Sequence, residues 1–408
     1  MKTLPLVLAL ATTALAAAPE PKFRAQALDT NIQIGYGVAV ADVDGDGKPD
    51  ILLADKKQFL WYRNPGKRSA AWDKFILAEN LTEHDNVCIA ARDIDGSGKC
   101  SIAVGAEWNP GDTVNSGAVF YLIPPADRTQ KWEAVKFPSV EPTTHRMKWV
   151  RLAEKEWGLV VVPLHGRGNK NGEGAGVKVL LYRKPANPNG EWNSEVLDDS
   201  MHSTHNFTTP SAFNSFSVSP SGPMWATTLI VCGREDILSI SSQNGGAWHK
   251  SAWVRREVGP DFKGAGEIQF GQLAKNLSGG VFLTAIEPMH GNQLTVYGTP
   301  KEGESIRRRV LTDKLADGHA LACGDVLGTG SDQIVVGWRA MGKPGVKVGI
   351  ALWAPLDEKG EQWRGSLIDD NTMACEDLVL ADLDGDGKLD IVASGRATKN
   401  VKIYWNER

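Results

Sequence analysis

Runs of four to eight apolar residues, some alternating with polar ones, recur along the whole chain and are rich in Val, Ile, Leu and aromatic side chains. Runs of that length and composition read as β-strands, and no convincing amphipathic helix follows the first apolar segment. The runs fall into units. "GYGVAVADVDGDGKPDILLAD" near residue 35 sets two apolar runs around a loop of aspartates and glycines, and "HDNVCIAARDIDGSGKCSIAVGAEW" near 84 and "CEDLVLADLDGDGKLDIVASGR" near 375 repeat it. "ALACGDVLGTGSDQIVVGWR" near 320 is a worn copy. "HRMKWVRLAEKEWGLVVVPLHGR", "HNFTTPSAFNSFSVSPSGPMWATTLIVCGRE" (with a longer loop) and "GEIQFGQLAKNLSGGVFLTAIEPMHG" keep the two runs without the acidic loop. Seven units spaced roughly 50–60 residues apart signal a propeller or solenoid.

Each unit adds a third apolar run, such as "FLWYRN" or "VKIYWNE". Most add a fourth, opening near Trp72, Trp132, Trp192, Trp248 or Trp363. Four strands per unit, seven units and no helices predict an all-β, seven-bladed β-propeller of four-stranded blades. The last unit stops after its third run, whereas "KFRAQALD", Lys22 to Asp29, resembles fourth-strand runs such as "KFILAENL". It is expected to complete the seventh blade and close the ring, leaving no open sheet edge.

The chain has 408 residues and a net charge of -4, with both signs spread along it. That excludes a nucleic-acid or polybasic membrane surface. Residues 1–18, with Lys2, an apolar run and small residues at Ala16, Ala17 and Ala18, read as a secretory signal peptide too short to span a bilayer. The expectation is a secreted or periplasmic protein with no membrane span, whose residues 19–408 form one propeller domain. The five cysteines all fall in or beside apolar runs and read as small buried hydrophobes, with room left for one disulfide.

The acidic loops place carboxylates at positions 1, 3, 5 and 9: Asp42, Asp44, Asp46 and Asp50, and again Asp382, Asp384, Asp386 and Asp390. The carbonyls of Lys48 and Lys388 at position 7 would complete an oxygen cage, the hard-ligand logic of calcium loops. Asp93, Asp95 and Ser97 make a weaker version, because Ser101 takes the ninth place, and Asp325 belongs to a metal-free relic.

In a propeller the innermost strand of each blade crosses from one face to the other and the second returns. The acidic loops therefore share one face, and the residues before strand one and after strand two share the opposite one. The first set reads Tyr36, His84 with Asp85, His145, His205, Glu267, His319 and Glu376. The second reads Glu107, His165 with Arg167, Arg234 with Glu235, Glu287 with His290, Arg339 and Arg396. The chain has only eight histidines, and six fall in these two rings. Histidine bases, a tyrosine or histidine acid, and arginines that hold carboxylates suit proton abstraction beside a carbonyl followed by β-elimination. Three histidines near one axis could also hold zinc or another divalent ion. His84, His145 and His205 are the base candidates, with His165, His319 and Tyr36 as acid or metal partners. Glu107, Arg167, Arg234, Glu267, His290, Arg339 and Arg396 are candidates for holding substrate. "GNKNGEGAGVKV", residues 168–179, reads as a long flexible loop bordering the same funnel.

The acidic loops resemble those of FG-GAP, or VCBS, repeat propellers, which implies structural calcium. The unit order and the stretches "HDN…ARDIDG…VGAEWNPGD", "HRMKWVRL…VVPLHGRGN" and "DDSMHSTHN" resemble the propeller part of aldos-2-ulose dehydratase and propeller polysaccharide lyases. The resemblance implies a secreted carbohydrate lyase or dehydratase, acting on a uronate-containing glycan or keto-sugar from the histidine-lined face with a bound metal. The dehydratase's additional domains are absent from this sequence. A non-enzymatic, calcium-stabilised propeller binding carbohydrate or protein is the alternative. A glycoside hydrolase drawing its carboxylate pair from Glu267, Glu376 and Glu107 is a third reading.

Overall fold

The computed structural model describes residues 18–138, 140–210, 215–219, 222–244, 246–252, 262–274, 280–298, 307–342 and 344–408. All but the last residue of the expected signal peptide lies outside them. Among the described residues no helix is long and apolar enough to cross a membrane. The strands form seven sheets in chain order, each an antiparallel meander. Blade one runs Gly37–Ala41, Asp50–Ala54, Gln58–Arg63 and Asp73–Glu79. The innermost strands of the next six blades are Cys88–Arg92, Thr144–Ala153, Thr204–Thr208, Glu267–Gln272, Gly318–Gly324 and Cys375–Ala381. The fold is a seven-bladed β-propeller.

The ring closes as the sequence predicts. Blade seven takes three strands from the C-terminal end, the last being Asn400–Asn406, and its fourth, Phe23–Asp29, from the N-terminal end. The pairing runs antiparallel from Phe23 opposite Asn406 to Asp29 opposite Val401. Blade four departs from the pattern. Its longer loop supplies an extra strand, Ser215–Ser219, which pairs with the first half of Gly222–Gly233.

Seven apolar clusters hold the ring, and each straddles two neighbouring blades. Val43, Leu52 and Trp61 of blade one meet Ile102, Val104 and Phe120 of blade two. Leu53 and Leu60 meet Val392, Ile403 and Trp405 across the closure. A blade covered on both faces explains why the second strands are continuous apolar runs rather than alternating ones. Each such side chain contributes about 1.5–3 kcal/mol by leaving water. All five cysteines are free thiols, four of them buried. The turn tryptophans pin the outer corners: Trp132 Nε1 donates to the Arg128 carbonyl at 3.1 Å and Trp192 Nε1 to that of Pro188 at 3.0 Å.

Candidate catalytic funnel and metal loops

Tyr36 N donates to the Ala54 carbonyl at 3.0 Å, so the start of strand one and the end of strand two do share a face. On that face the inner ring is built on β-bulges. The register of strand one against strand two slips between Thr144 and Arg146, Thr204 and Asn206, Gly318 and Ala320, and Cys375 and Asp377. The residues left out are His145, His205, His319 and Glu376. A bulged residue has no cross-strand partner, and its side chain is re-aimed out of the pleat. Here four of them converge.

Their hydrogen bonds repeat around the ring. His145 Nδ1 lies 2.8 Å from the His205 carbonyl, His205 Nδ1 2.6 Å from that of Gly266, and His319 Nδ1 2.6 Å from that of Glu376. A carbonyl only accepts, so each Nδ1 carries the proton and each Nε2 is left bare. All three rings are buried. Burial drives their pKa values well below the usual histidine value, helped by Arg146 at His145, His290 at His205 and Arg339 at His319. They are neutral bases at neutral pH.

Blade five has no bulge, and its ring position is Gly266. A side chain there would run into the His290 backbone at 3.1 Å, and His290 fills the gap instead. Its φ of 57° turns it back over the ring. His290 Nε2 sits 2.8 Å from His205 Nε2, and Arg339 Nη2 donates to His290 Nδ1 at 3.0 Å. His205, His290 and His319 each bring one ring nitrogen within 4.8 Å of the others. His205 and His319 offer bare nitrogens oriented by carbonyl bonds, the donor set and outer shell of a zinc-type site; His290, whose Nδ1 accepts from Arg339, holds its proton on Nε2 and would give it up to complete the set.

A small cavity of about 50 Å³ opens over this cluster, lined by Tyr36, Trp108, His145, Arg339, Glu376 and Arg396 among others. Arg339 bonds Glu376 at 2.5 Å and Asp317 at 3.0 Å. Arg396 lies 5.4 Å over the Tyr36 ring and 3.7 Å from Glu376. The Tyr36 hydroxyl donates to Asp85 at 3.2 Å; burial pushes its pKa up against the opposing pull of Arg396, so it stays protonated. Trp108 stacks on His145 with ring centroids 5.1 Å apart.

Other expected members lie elsewhere. His84 is exposed at the rim and bonds Glu107 and Asn109, while Val87 takes the blade-two place at the small cavity. His84 falls outside the inner ring because blade two enters strand one without a bulge and through an Asp85–Trp108 bridge. The Glu107 bond raises the His84 pKa. Arg167 is spent on the carbonyls of Val114 and Val140 and on Glu141. Glu267 points into the axial channel below, a cavity of about 450 Å³ that it lines with Arg146, Lys148 and Asp377. Burial raises its pKa. Glu287 is buried on Thr295, Tyr297 and Arg308, a structural set. Glu107, Glu267 and Glu376 thus sit in three different environments: the rim, the axial channel and the small cavity. His165 and Arg234 line a separate groove of about 510 Å³ beside the funnel. The glycine-rich loop bordering it is tied down rather than free: Asn169 Nδ2 donates to the His202 carbonyl at 3.1 Å, and its Oδ1 accepts from Gly172 N at 3.0 Å. Sequence reasoning missed the bulges. Their signal is a small residue ahead of the functional one, as in Thr204-His205, Gly318-His319 and Cys375-Glu376.

On the opposite face the acidic loops share one fold. Asp42 accepts from Gly45 N and Gly47 N, and Asp382 from Gly385 N and Gly387 N. Asp42, Asp44 and Asp50 form one potential cation group, and Asp382, Asp384 and Asp390 another. Burial, with neighbouring carboxylates adding to it, pushes Asp50 up to about 7 and Asp390 up to about 6. Crowded carboxylates of this kind fit a hard divalent ion such as calcium. Asp46 and Asp386 turn instead to the Nζ of Lys48 and Lys388. Unforeseen cations also reach the cages: Arg63 pairs with Asp44, and Arg68 with Asp384 and Asp386. In the second loop Asp93 and Asp95 keep the backbone bonds, Ser97 N donates to Asp95 at 3.0 Å, and Ser101 faces Tyr121.

Residues 116–300 match the family model described as aldos-2-ulose dehydratase, beta-propeller domain. Residues 24–104 match that of the FG-GAP-like repeat. The FG-GAP and aldos-2-ulose dehydratase resemblances are met over these spans. The first span contains His145, His165, His205 and His290. No curated protein matches the chain. Among solved structures, BBS1N in complex with ARL6DN is similar in two crystals. The mercury-soaked one has 12% identity and a TM-score of 0.52 over 96% of this chain and 98% of that one. The lead-soaked one has 11% identity and a TM-score of 0.52 over 94% and 96%. An Agrocybe aegerita lectin that recognises non-reducing terminal N-acetylglucosamine has 13% identity and a TM-score of 0.47 over 82% and 80%. At such identities the BBS1N likeness speaks for the fold alone.

Proposed function

We propose that the chain is an exported carbohydrate lyase or dehydratase that performs β-elimination at the histidine-lined funnel. One observation carries the reading: three bulge-borne histidines are buried and neutral, with bare Nε2 atoms beside Tyr36, Arg339 and Arg396. The match of residues 116–300 to an aldos-2-ulose dehydratase propeller supports a sugar as substrate. His205, His290 and His319 would hold a divalent transition ion, which when bound polarises a substrate carbonyl or carboxylate oxygen. His145 is the base. Its Nε2 accepts from Arg146 Nη1 at 3.1 Å, a bond that gives way when the substrate C–H takes that place. Tyr36, kept protonated, gives its proton to the leaving oxygen. Arg339 and Arg396 attract the anionic part of the substrate. The small cavity admits only the reacting atoms, so the sugar ring rests on the rim against Trp108. The loops at Asp42–Asp50 and Asp382–Asp390 would bind structural calcium.

The test follows ultraviolet absorbance of conjugated unsaturated products when zinc-replete protein meets a panel of uronate polysaccharides and keto-sugars. Wild type should give a steady rise on at least one substrate. A His145→Ala, His205→Ala double variant with an unchanged circular dichroism spectrum should lose at least a hundredfold in rate, the usual order for a general base. A flat wild-type trace across the panel would move the protein to the binding-propeller class.

A further inference from the structure

We propose that the groove beside the funnel is a separate oxyanion subsite that takes the carboxylate of an acidic sugar next to the one that reacts. Only for the identity of that neighbouring sugar does this rest on the elimination reading. The groove is lined by Pro110, Gly111, Thr113, His165, Asn169, Lys170, Asn171, Gly172 and Arg234. Its charged groups are both cations, and no carboxylate lines it. Neither the Arg234 guanidinium nor the Lys170 ammonium has an acceptor among the described residues, although both are exposed. His165 Nδ1 is buried without a partner. Burial, reinforced by Arg234, lowers the pKa of His165, so the ring is a neutral hydrogen-bonding group beside the Arg234 cation.

The groove is built rather than incidental. Its floor is the Gly168–Gly174 strap, anchored by Asn169 and by Thr113 Oγ1, which donates to the Asn169 carbonyl at 3.0 Å. Gly172 leaves the space that Arg234 crosses: a Cβ there would lie 3.0 Å from Arg234 Nη1. A guanidinium without an acceptor among the described residues is suited to bind a carboxylate bidentately. The groove also adjoins the reacting centre. Trp108 faces the funnel, and Pro110, two residues on, faces the groove. His145 lies in the funnel, and Thr143, two residues back, accepts from His165 N at 2.9 Å through Oγ1. Two residues of extended chain span about 7 Å, close to the reach of one sugar ring. A glycan seated over His145 would therefore extend its next residue into the groove that Arg234 lines.

Isothermal titration calorimetry with trigalacturonate and with its fully methyl-esterified form tests this. The acid should bind wild type at least about tenfold more tightly than the ester, the worth of one charge-assisted pair. Arg234→Gln should cut that difference by the share Arg234 supplies, leaving what Arg339 and Arg396 supply at the funnel, while Arg234→Lys keeps more of it. Equal affinities for acid and ester, or an Arg234→Gln variant that discriminates as strongly as wild type, would overturn the subsite. Inorganic sulfate and phosphate, titrated alone and as competitors, separate the sources of the oxyanion. Displacement of trigalacturonate by either at matched concentration would overturn the assignment to a sugar carboxylate. The readout is heat, not turnover. Arg234-dependent acid binding without any ultraviolet product would keep the subsite and sink the elimination reading, and the reverse pattern would do the opposite.

Discussion

His145, His205 and His319 gain their chemistry from two local features: a bulge that aims the ring inward and a neighbouring blade's carbonyl that takes the Nδ1 proton. The burial that comes with the first costs stability in acid, and the carbonyl bond only partly opposes it. A buried histidine with a depressed pKa stays neutral in the fold while the unfolded chain takes up a proton below about pH 6.5. The sign is therefore a loss of stability as pH falls through that value, with up to about 1.4 kcal/mol per pH unit for each such ring. Denaturant melts of chelator-treated protein at several pH values between 7 and 5 should show this slope, and His145→Ala should reduce it by up to about one ring's share. An unaltered slope in the variant would mean that His145 is protonated in the fold. The ring positions of these three histidines were legible from repeat register alone. That of His84 was not, because the chain enters blade two through the Asp85–Trp108 bridge, leaving Val87 at the cavity. His290 was placed correctly beyond strand two, but its inward reach depends on Gly266 in another segment, a coincidence of two chain regions that no local pattern announces.

At the scale of the element, the strand–loop–strand unit was the most readable feature, since its aspartates and glycines bond each other within nine residues. Asp42 caps Gly45 and Gly47 through the backbone, and the same bonding explains why the blade-six loop keeps the turn with few carboxylates: Asp325 accepts from Thr329 N and Gly330 N, and Gln333 replaces the ninth aspartate. What the pattern could not supply is the outside partners, Arg63 and Arg68, which come from the third strand and the turn after it. Asp50 is coupled further, through Asn64, to the Leu383 carbonyl of blade seven at 2.7 Å. Calcium in these cages would therefore stiffen joints between blades as well as the loops themselves. At a hundred times its Kd an ion stabilises by about 2.7 kcal/mol per site, which should raise Tm by roughly 3–5 °C over chelator-treated protein. Asp42→Ala combined with Asp382→Ala should abolish the calcium response while leaving the funnel intact. Coincident melts of wild type with calcium and with chelator would show that Arg63 and Arg68 already supply all the positive charge these loops accept.

For the whole molecule the decisive contact is between the two ends. A propeller stores its apolar burial between blades, so blades seven and one stabilise each other only while the ring is closed. Phe23–Asp29 does more than add a strand. Phe23 and Leu28 pack on the clusters on either side of blade seven, and Asp29 accepts from Tyr62 of blade one at 2.8 Å. Arg24 bonds Glu407 at 3.0 Å, and Gln26 accepts from Trp405 Nε1 at 2.7 Å. Removing residues 18–29 would bare the Asn400–Asn406 edge and lose the packing of Phe23 and Leu28, worth up to about 1.5–3 kcal/mol each. The truncated protein should melt about 10 °C lower than the full chain and aggregate more readily. A synthetic peptide of residues 18–30 supplied in trans offers the sharper measurement, because strand addition to a free edge follows mass action. Tm of the truncated ring should climb with peptide concentration, and a peptide with Phe23 and Leu28 replaced by serine should lose most of that effect. If the truncated ring melts like the full chain and ignores the peptide, the seventh blade is self-sufficient with three strands and the closure contributes nothing to stability.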